Sequence, residues 1–553
     1  AAVSDRFSPP PLPFLLGKTL QEVRRQRFMG IPAQLFYRPA PGDRFSTRRF
    51  GELLGTPLGV AAGPHTQLAL NIVAAWLCGA RYIELKTIQT LEDLEIPRPC
   101  IDMQDAGYNC EWSQELTVRQ SFNEYLNAWI LIHLLHGELG LSGPVATIFN
   151  MSVGYDLAGI MQPNVQWFLE KMTGCRQELD DALETVRGVY PLPVPGNIPA
   201  RISGNVTLST MHGCPPGEIE KIGLYLLKEK RLHTTIKLNP TLLGAGPLRE
   251  ILNTHSGFEA EVPDEAFAHD PSFEDAVRII GTLKAAALAE GLQFSVKLTN
   301  TLECRNHRDV FPGEVKMMYL SGRALHRVSV ALAARLQETF RGSLDLSFSA
   351  GADCFNIADL VSCGLGPVTV CSDLLKPGGY GRLSQYILNL REAFRSTGAE
   401  SLDDFIVKKA GTGRDVASSA MLNLAEYAGK VLENPAYSRD EEGEPSIKTG
   451  RTLEWFDCVH APCRDACPTR QDIPEYMRRT AAGDPDGALE TIRITNPFPC
   501  VTGMICDQPC REKCTRINYD EPLQIREIKR FAAEGGRLPE VPVSPRPGGR
   551  GKA

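Results

Sequence analysis

The sequence predicts an α/β protein: a (β/α)8 TIM barrel followed by a small, mainly α-helical module rich in cysteine. Three observations predict it. Between residues 51 and 400, eight short β-rich apolar runs alternate with longer segments of helical period, the pattern of a parallel barrel with insertions. No glycine-rich phosphate loop follows the first run, as an open doubly wound sheet would require. Finally, seven of the sixteen cysteines crowd between residues 458 and 514.

The strands are expected at Leu58–Ala62, Tyr82–Thr87, Val145–Asn150, Asn205–Ser209, Thr234–Leu238, Gln293–Leu298, Leu344–Ser349 and Pro367–Cys371. Helices are expected at Gln114–Leu135, Gly217–Glu229, Phe273–Glu290, Gly322–Thr339 and Arg382–Arg395, where apolar residues recur at three and four. Gly244-Ala245-Gly246-Pro247 lacks a third glycine and has a proline where a helix would settle, so it reads as a loop. Around the barrel, 51–400, lie an N-terminal extension at 1–50 and a helical connector with a charged linker at 401–450. The cysteine module follows at 451–535, then a Pro/Gly-rich tail at 536–553.

A chain of 553 residues exceeds one ordinary core, and its 43% hydrophobic and 23% charged content is that of a globular protein. The longest apolar run, Ala128 to Leu135, is broken by His133 and is too short for a membrane span. With neither secretory signal nor lipidation motif, a cytoplasmic location is expected. A net charge of -7 offers no footprint for nucleic acid.

In a reducing compartment, crowded cysteines point to metal rather than disulfides. The spacing is Cys458-x4-Cys463-x3-Cys467-Pro468, then Cys506-x3-Cys510-x3-Cys514. Several thiolates at short fixed spacing can wrap one cubane while a distant ligand closes the cage, and the proline after Cys467 turns the chain away. Zinc would usually show two CxxC-like pairs. One or two [4Fe-4S] clusters are therefore expected, with His460 as a surface residue.

In the barrel, Lys86, Lys237 and Lys297 end otherwise apolar strands, where each must be paired or reach water. They face an anionic cofactor or intermediate, or they pair with an acid such as Glu84 or Glu303. Ser347–Ala352 and Thr369–Ser372 supply small residues that let backbone N–H groups approach a phosphate.

These segments carry resemblances. Asp457 to Thr469, Asn496-Pro497-Phe498-Pro499 and Gly503-Met504-Ile505-Cys506 resemble the two-cluster domain of the glutamate synthase small subunit and of dihydropyrimidine dehydrogenase. The resemblance implies that Cys458, Cys463 and Cys514 serve one cluster, and Cys467, Cys506 and Cys510 the other. Trp455 stands where those families have a fourth cysteine, and Lys529 near their Glu or Gln ligand. Each cage is thus one ligand short, with Cys500 and Gln524 as candidates. Pro57–Gly63, Thr299-Asn300-Thr301 and Ser349–Gly351 resemble the dihydroorotate dehydrogenase-like flavin barrels. That likeness implies FMN held by Gly63, Lys86, Asn150, Lys237, Asn300, Gly351 and Ser372, although Ala350-Gly351-Ala352 has one glycine where the family has two. Cys214, on the loop after strand four, resembles the family's proton-transfer residue. Between His212 and a helix start at Gly217 its thiol is expected to have a lowered pKa, with a buried structural role as the alternative.

Over nearly its full length the chain resembles the N-terminal half of the selenate reductase subunit family. That implies an iron-sulfur oxidoreductase passing electrons between an FAD/NAD(P)H-binding domain or subunit and an FMN-type barrel site acting on a small heterocyclic substrate. The missing flavin domain is expected on a separate chain or in a continuation of this one. The alternatives are an electron-transfer scaffold whose flavin-free barrel docks a molybdenum enzyme or other redox partner, and a zinc-dependent interaction protein.

Overall fold

The computed structural model describes residues 8–91, 99–104, 110, 115–190, 198–209, 214–308, 310–439, 461–518 and 521–537. Two compact units divide the chain, residues 1–441 and 442–553. Of the connector and linker expected at 401–450, residues 440–450 lie outside the described residues, as do residues 538–553 of the tail expected at 536–553.

In the first unit eight parallel strands close into a barrel in chain order: β1 (Leu58–Val60), β2 (Tyr82–Glu84), β3 (Ile148–Val153), β4 (Asn205–Ser209), β5 (His233–Leu238), β6 (Phe294–Leu298), β7 (Leu346–Phe348) and β8 (Leu365–Val370). Each is sequestered on both faces, so the apolar runs are those of a doubly covered parallel sheet. Gly59 is required where β1 meets β2, since a Cβ there would lie 2.1 Å from the Tyr82 carbonyl oxygen. The outer helices include α1 (Ala69–Leu77), α2 (Val118–Glu138), α3 (Pro163–Thr173), α4 (Pro216–Lys228), α5 (Phe273–Ala289), α6 (His326–Thr339), α7 (Ile357–Ser362) and α8 (Leu383–Thr397). Among the described residues no helix is long and apolar enough to cross a membrane.

Three local expectations are corrected. The third strand starts at Ile148 rather than Val145, because Ala146 turns the chain with φ 49°. Gly322 does not begin α6; it opens a 3-10 turn, Gly322–Leu325, with φ 73°. Gly244 takes φ 97°, and Ala245–Arg249 is a short helix rather than a loop. The helices expected in a connector, α9 (Leu402–Ala410) and α10 (Val416–Glu433), pack on the barrel. Asn423 on α10 donates to the Ser362 carbonyl at 2.8 Å, and Arg327 on α6 donates to the Val431 carbonyl at 2.9 Å.

One ion pair crosses the barrel interior. Lys297 on β6, fully buried, donates to the Glu84 carboxylate on β2 and to Thr369 Oγ1 on β8 at 2.7 Å. The lysine here takes the structural alternative, an acid partner. Because a buried charge left alone is costly, Glu84→Gln is expected to destabilise the barrel by roughly 3–5 kcal/mol, and Glu84→Leu combined with Lys297→Met by much less. Urea-unfolding midpoints check this; equal losses in both proteins would contradict it.

The second unit is helical: α11 (Ile473–Ala481), α12 (Pro485–Arg493), α13 (Pro499–Ile505) and α14 (Ile525–Gly535), with short helical turns at Pro462–Ala466 and Pro509–Glu512. Its small core combines Ile473, Tyr476, Ala488, Ile492, Ile525 and Ala532 with Cys463, Cys467 and Cys510.

Candidate active site and cluster module

The carboxyl ends of the barrel strands surround a cavity of about 230 Å³. That is the end where (β/α)8 chemistry gathers. Of the residues singled out in the sequence, Gly63, Lys86, Lys237, Asn300, Gly351 and Ser372 line it. Asn150 does not: it is buried between β3 and β4, where its Nδ2 donates to Asn205 Oδ1 at 2.6 Å and its Oδ1 accepts from Thr207 at 2.7 Å.

One side of the cavity is a cradle of close backbone. Gly322 and Gly351 have φ of 73° and 71°. A Cβ on Gly322 would stand 2.8 Å from Ser372 Oγ, and one on Gly351 2.9 Å from Arg323 Cα. Ser321 Oγ lies 3.4 Å from Ser372 Oγ. Three loops, after β6, β7 and β8, thus bring small residues and hydroxyls to one place, and neither glycine has room for a side chain. Lys86 and Lys237 line the same cavity. Burial, then the neighbouring charges of Lys297 and Lys86, push Lys237 down to about 8. Asn300 donates to Asn239 Oδ1 at 2.7 Å, which fixes its amide at the rim.

Two groups here escaped the sequence reading. Cys371 lines the cavity with its Sγ 3.8 Å from His65 Nδ1. Burial raises the thiol to about 11 against the pull of Lys237, Lys86 and Lys297. His65 is buried and held to about 4 by burial and then by Lys86, so it stays neutral. Cys371 directly follows β8, and a reactive residue type at a strand end was the available signal.

Cys214 does not line this cavity. Its expected lowered pKa is reversed: burial, then Glu218, Asp156 and Asp270, push the thiol up to about 11. His212 lies outside the described residues, and α4 starts at Pro216 rather than Gly217.

In the second unit Cys458, Trp455 and His460 lie outside the described residues. The other five predicted cysteines lie near one another, linked through Cys510. Burial, then Cys514 and Cys510, raise Cys463 to about 12, and burial, then Cys467 and Cys506, raise Cys510. Burial also acts on Cys467, but hydrogen bonds involving Thr469 and Gln471 outweigh it and lower its thiol, a setting for a thiolate ligand. Lys529, expected near a non-cysteine ligand position, is 4% exposed and donates to Cys506 Sγ at 3.6 Å. Cys500 is exposed, its thiol 3.9 Å from the Ala533 carbonyl oxygen, and Gln524 is exposed at the start of α14. Among the described residues no three donors converge closely enough for a single metal ion, whereas a cubane spreads its thiolates over four irons.

Residues 29–422 match the family described as oxidoreductase YgfK, N-terminal TIM-barrel domain. The chain belongs to the oxidoreductase YgfK family. Residues 444–538 match dihydropyrimidine dehydrogenase domain II, 4Fe-4S cluster. The oxidoreductase YgfK of Escherichia coli strain K12 is 42% identical over 555 residues, covering 97% of this chain and 52% of that protein. The chain thus spans about half the length of the curated relatives it matches along its whole length. The β subunit of the NADP(+)-dependent formate dehydrogenase of Moorella thermoacetica is 43% identical over 93 residues, 17% of this chain and 13% of that one. The PreT subunit of the NAD-dependent dihydropyrimidine dehydrogenase of E. coli K12 is 34% identical over 79 residues, 14% of this chain and 19% of that one.

If Cys467 and Cys510 are ligands and Cys500 is not, Cys467→Ser and Cys510→Ser each lose one cluster's share of iron while Cys500→Ser keeps its full content. Iron and sulfide analysis after anaerobic purification measures this; iron lost from Cys500→Ser alone would contradict it.

Proposed function

We propose that this chain passes electrons between [4Fe-4S] clusters in its second unit and FMN in its barrel, which acts on a small heterocyclic substrate. The observation that carries the reading is that the cradle of Gly322, Gly351 and Ser372 shares one cavity at the carboxyl ends of the strands with Lys86 and Lys237. A phosphate suits the cradle, because two positive-φ glycines let backbone N–H groups approach an anion and leave no room for a Cβ. The two lysines and Asn300 suit the electronegative edge of a flavin ring. The residues therefore fit the group.

When bound, the clusters would supply single-electron transfer and the flavin both single-electron and hydride chemistry. The chain's own part is to hold and to shield. Gly351 and Ser372 would hold the phosphate, while Lys86 and Lys237 would orient and stabilise negative charge on the ring. Ile101, Met103, Leu325 and the Tyr319 ring offer apolar walls that exclude water from a bound heterocycle. Cys214, on the loop after β4, remains the proposed proton-transfer residue on the family resemblance alone, since it lies outside the cavity lining and burial keeps its thiol protonated.

An FAD/NAD(P)H-binding domain or subunit is the proposed electron partner, since the NADP(+)-dependent formate dehydrogenase β subunit and PreT share the cluster segment. A cytoplasmic site, where thiols are kept reduced, suits the clusters. Selenate, which the family resemblance suggests, is the competing acceptor; the apolar walls favour a flat ring over a compact dianion.

The test is reoxidation of the dithionite-reduced chain under anaerobic conditions, followed by absorbance, with uracil or selenate as acceptor. Uracil is expected to reoxidise the wild-type chain, and Gly351→Val to lose both flavin and this reaction. Reoxidation by selenate alone, or uracil turnover undiminished in Gly351→Val, would contradict the reading.

A further inference from the structure

Lys529 is a buried cation among the thiols of the second unit, and helix packing sets its place. α13 and α14 approach closely at Gly503, where a Cβ would stand 3.1 Å from Arg530 Cβ and 3.2 Å from its Cα. Arg526 and Lys529, three residues apart on α14, share a face of that helix, and both reach Cys506, the residue that follows α13. Arg526 Nη1 donates to the Cys506 carbonyl oxygen at 3.2 Å, and Lys529 Nζ donates to the Cys506 Sγ at 3.6 Å.

A buried ammonium is costly unless an anion meets it. The acids of its own helix are engaged elsewhere: Glu527 pairs with Arg526 at 3.1 Å and Glu534 with Arg530 at 2.7 Å. Among the described residues the one hydrogen-bond acceptor of Lys529 is the Cys506 sulfur. Its charge also reaches Cys510, whose thiol is pushed up by burial, then by Cys467 and Cys506, and pulled down by Lys529. A neutral thiol is a poor match for a buried charge, whereas a cluster carried by several thiolates is a good one. An ammonium has three donors and no lone pair, so it cannot bind iron as a Glu or Gln would. It can act on a cluster through its charge and its hydrogen bond.

Both effects have one sign. One-electron reduction of a [4Fe-4S] cluster adds a negative charge, and a nearby cation and a hydrogen bond to a ligand sulfur stabilise the more negative state. We propose, resting on the cluster reading, that Lys529 raises the reduction potential of the cluster that Cys506 serves, so that electrons entering the unit settle there first.

A reductive titration of the anaerobically purified full chain with dithionite and redox mediators, followed by electron paramagnetic resonance, tests this. Lys529→Met keeps the length of the side chain and removes its charge and donors. It is expected to keep its iron and to make reduction of one cluster about tenfold less favourable, a fall in midpoint of about 59 mV for one electron. Lys529→Arg, which keeps a cation, is expected to hold the wild-type midpoint. Arg530→Met removes a half-exposed cation of the same helix, one paired with Glu534, and is expected to move no midpoint. An unchanged midpoint in Lys529→Met, or an equal fall in Lys529→Arg or Arg530→Met, would overturn the proposal. So would loss of iron from Lys529→Met, which would make the residue necessary for building the cluster rather than for tuning it. A wild-type chain without iron would instead sink the cluster reading itself, and this proposal with it.

Discussion

The carboxylate of Glu84 is the group on which the working end of the barrel depends. A lysine on β6 that points into a closed barrel has no water to reach, and its charge must be met from within. Glu84 meets it from β2, and the same Oε2 accepts the Ala62 N–H at 3.2 Å, just beyond β1. Lys297 in turn donates to Thr369 on β8. One charge pair therefore ties β1, β2, β6 and β8, the strands whose ends carry Gly63, Lys86, Asn300 and Ser372. It also sets the electrostatics above it, since Lys297 helps hold Lys237 near 8.

The second unit is built on a different constraint. Its helices are short, and three cysteines belong to a core that holds few large apolar side chains. So small a hydrophobic core gains little from burial alone. In such a unit the energy of binding a cluster becomes energy of folding. Tyr476 shows how closely the two are joined: its ring is buried in that core, and its hydroxyl donates to the Ile525 carbonyl at 3.3 Å, bracing α11 against the start of α14.

Much of this was legible in the sequence because buried parallel strands write themselves as bounded apolar runs. Asn205–Ser209 was readable to the residue, whereas β3 was misplaced by three at its start because a non-glycine residue, Ala146, turns the chain inside an apolar stretch. The roles of the three lysines were not legible. Lys237 and Lys297 are register partners on β5 and β6, but the acid that separates their fates comes from β2, 213 residues away from Lys297. The pairing of Cys371 with His65 spans 306 residues and is visible only once β8 closes against β1. Gly322 carried a signal that was passed over: Ser321-Gly322 between a strand and a helix is turn punctuation.

The proposed function needs one chain to couple iron-sulfur clusters to a flavin held in the barrel. Its most direct test is to purify the chain without oxygen, then count iron, sulfide and acid-released flavin in the same sample. Iron and sulfide are expected together with one FMN per chain. A preparation with full iron and no flavin, taking up none when FMN is added, would contradict it.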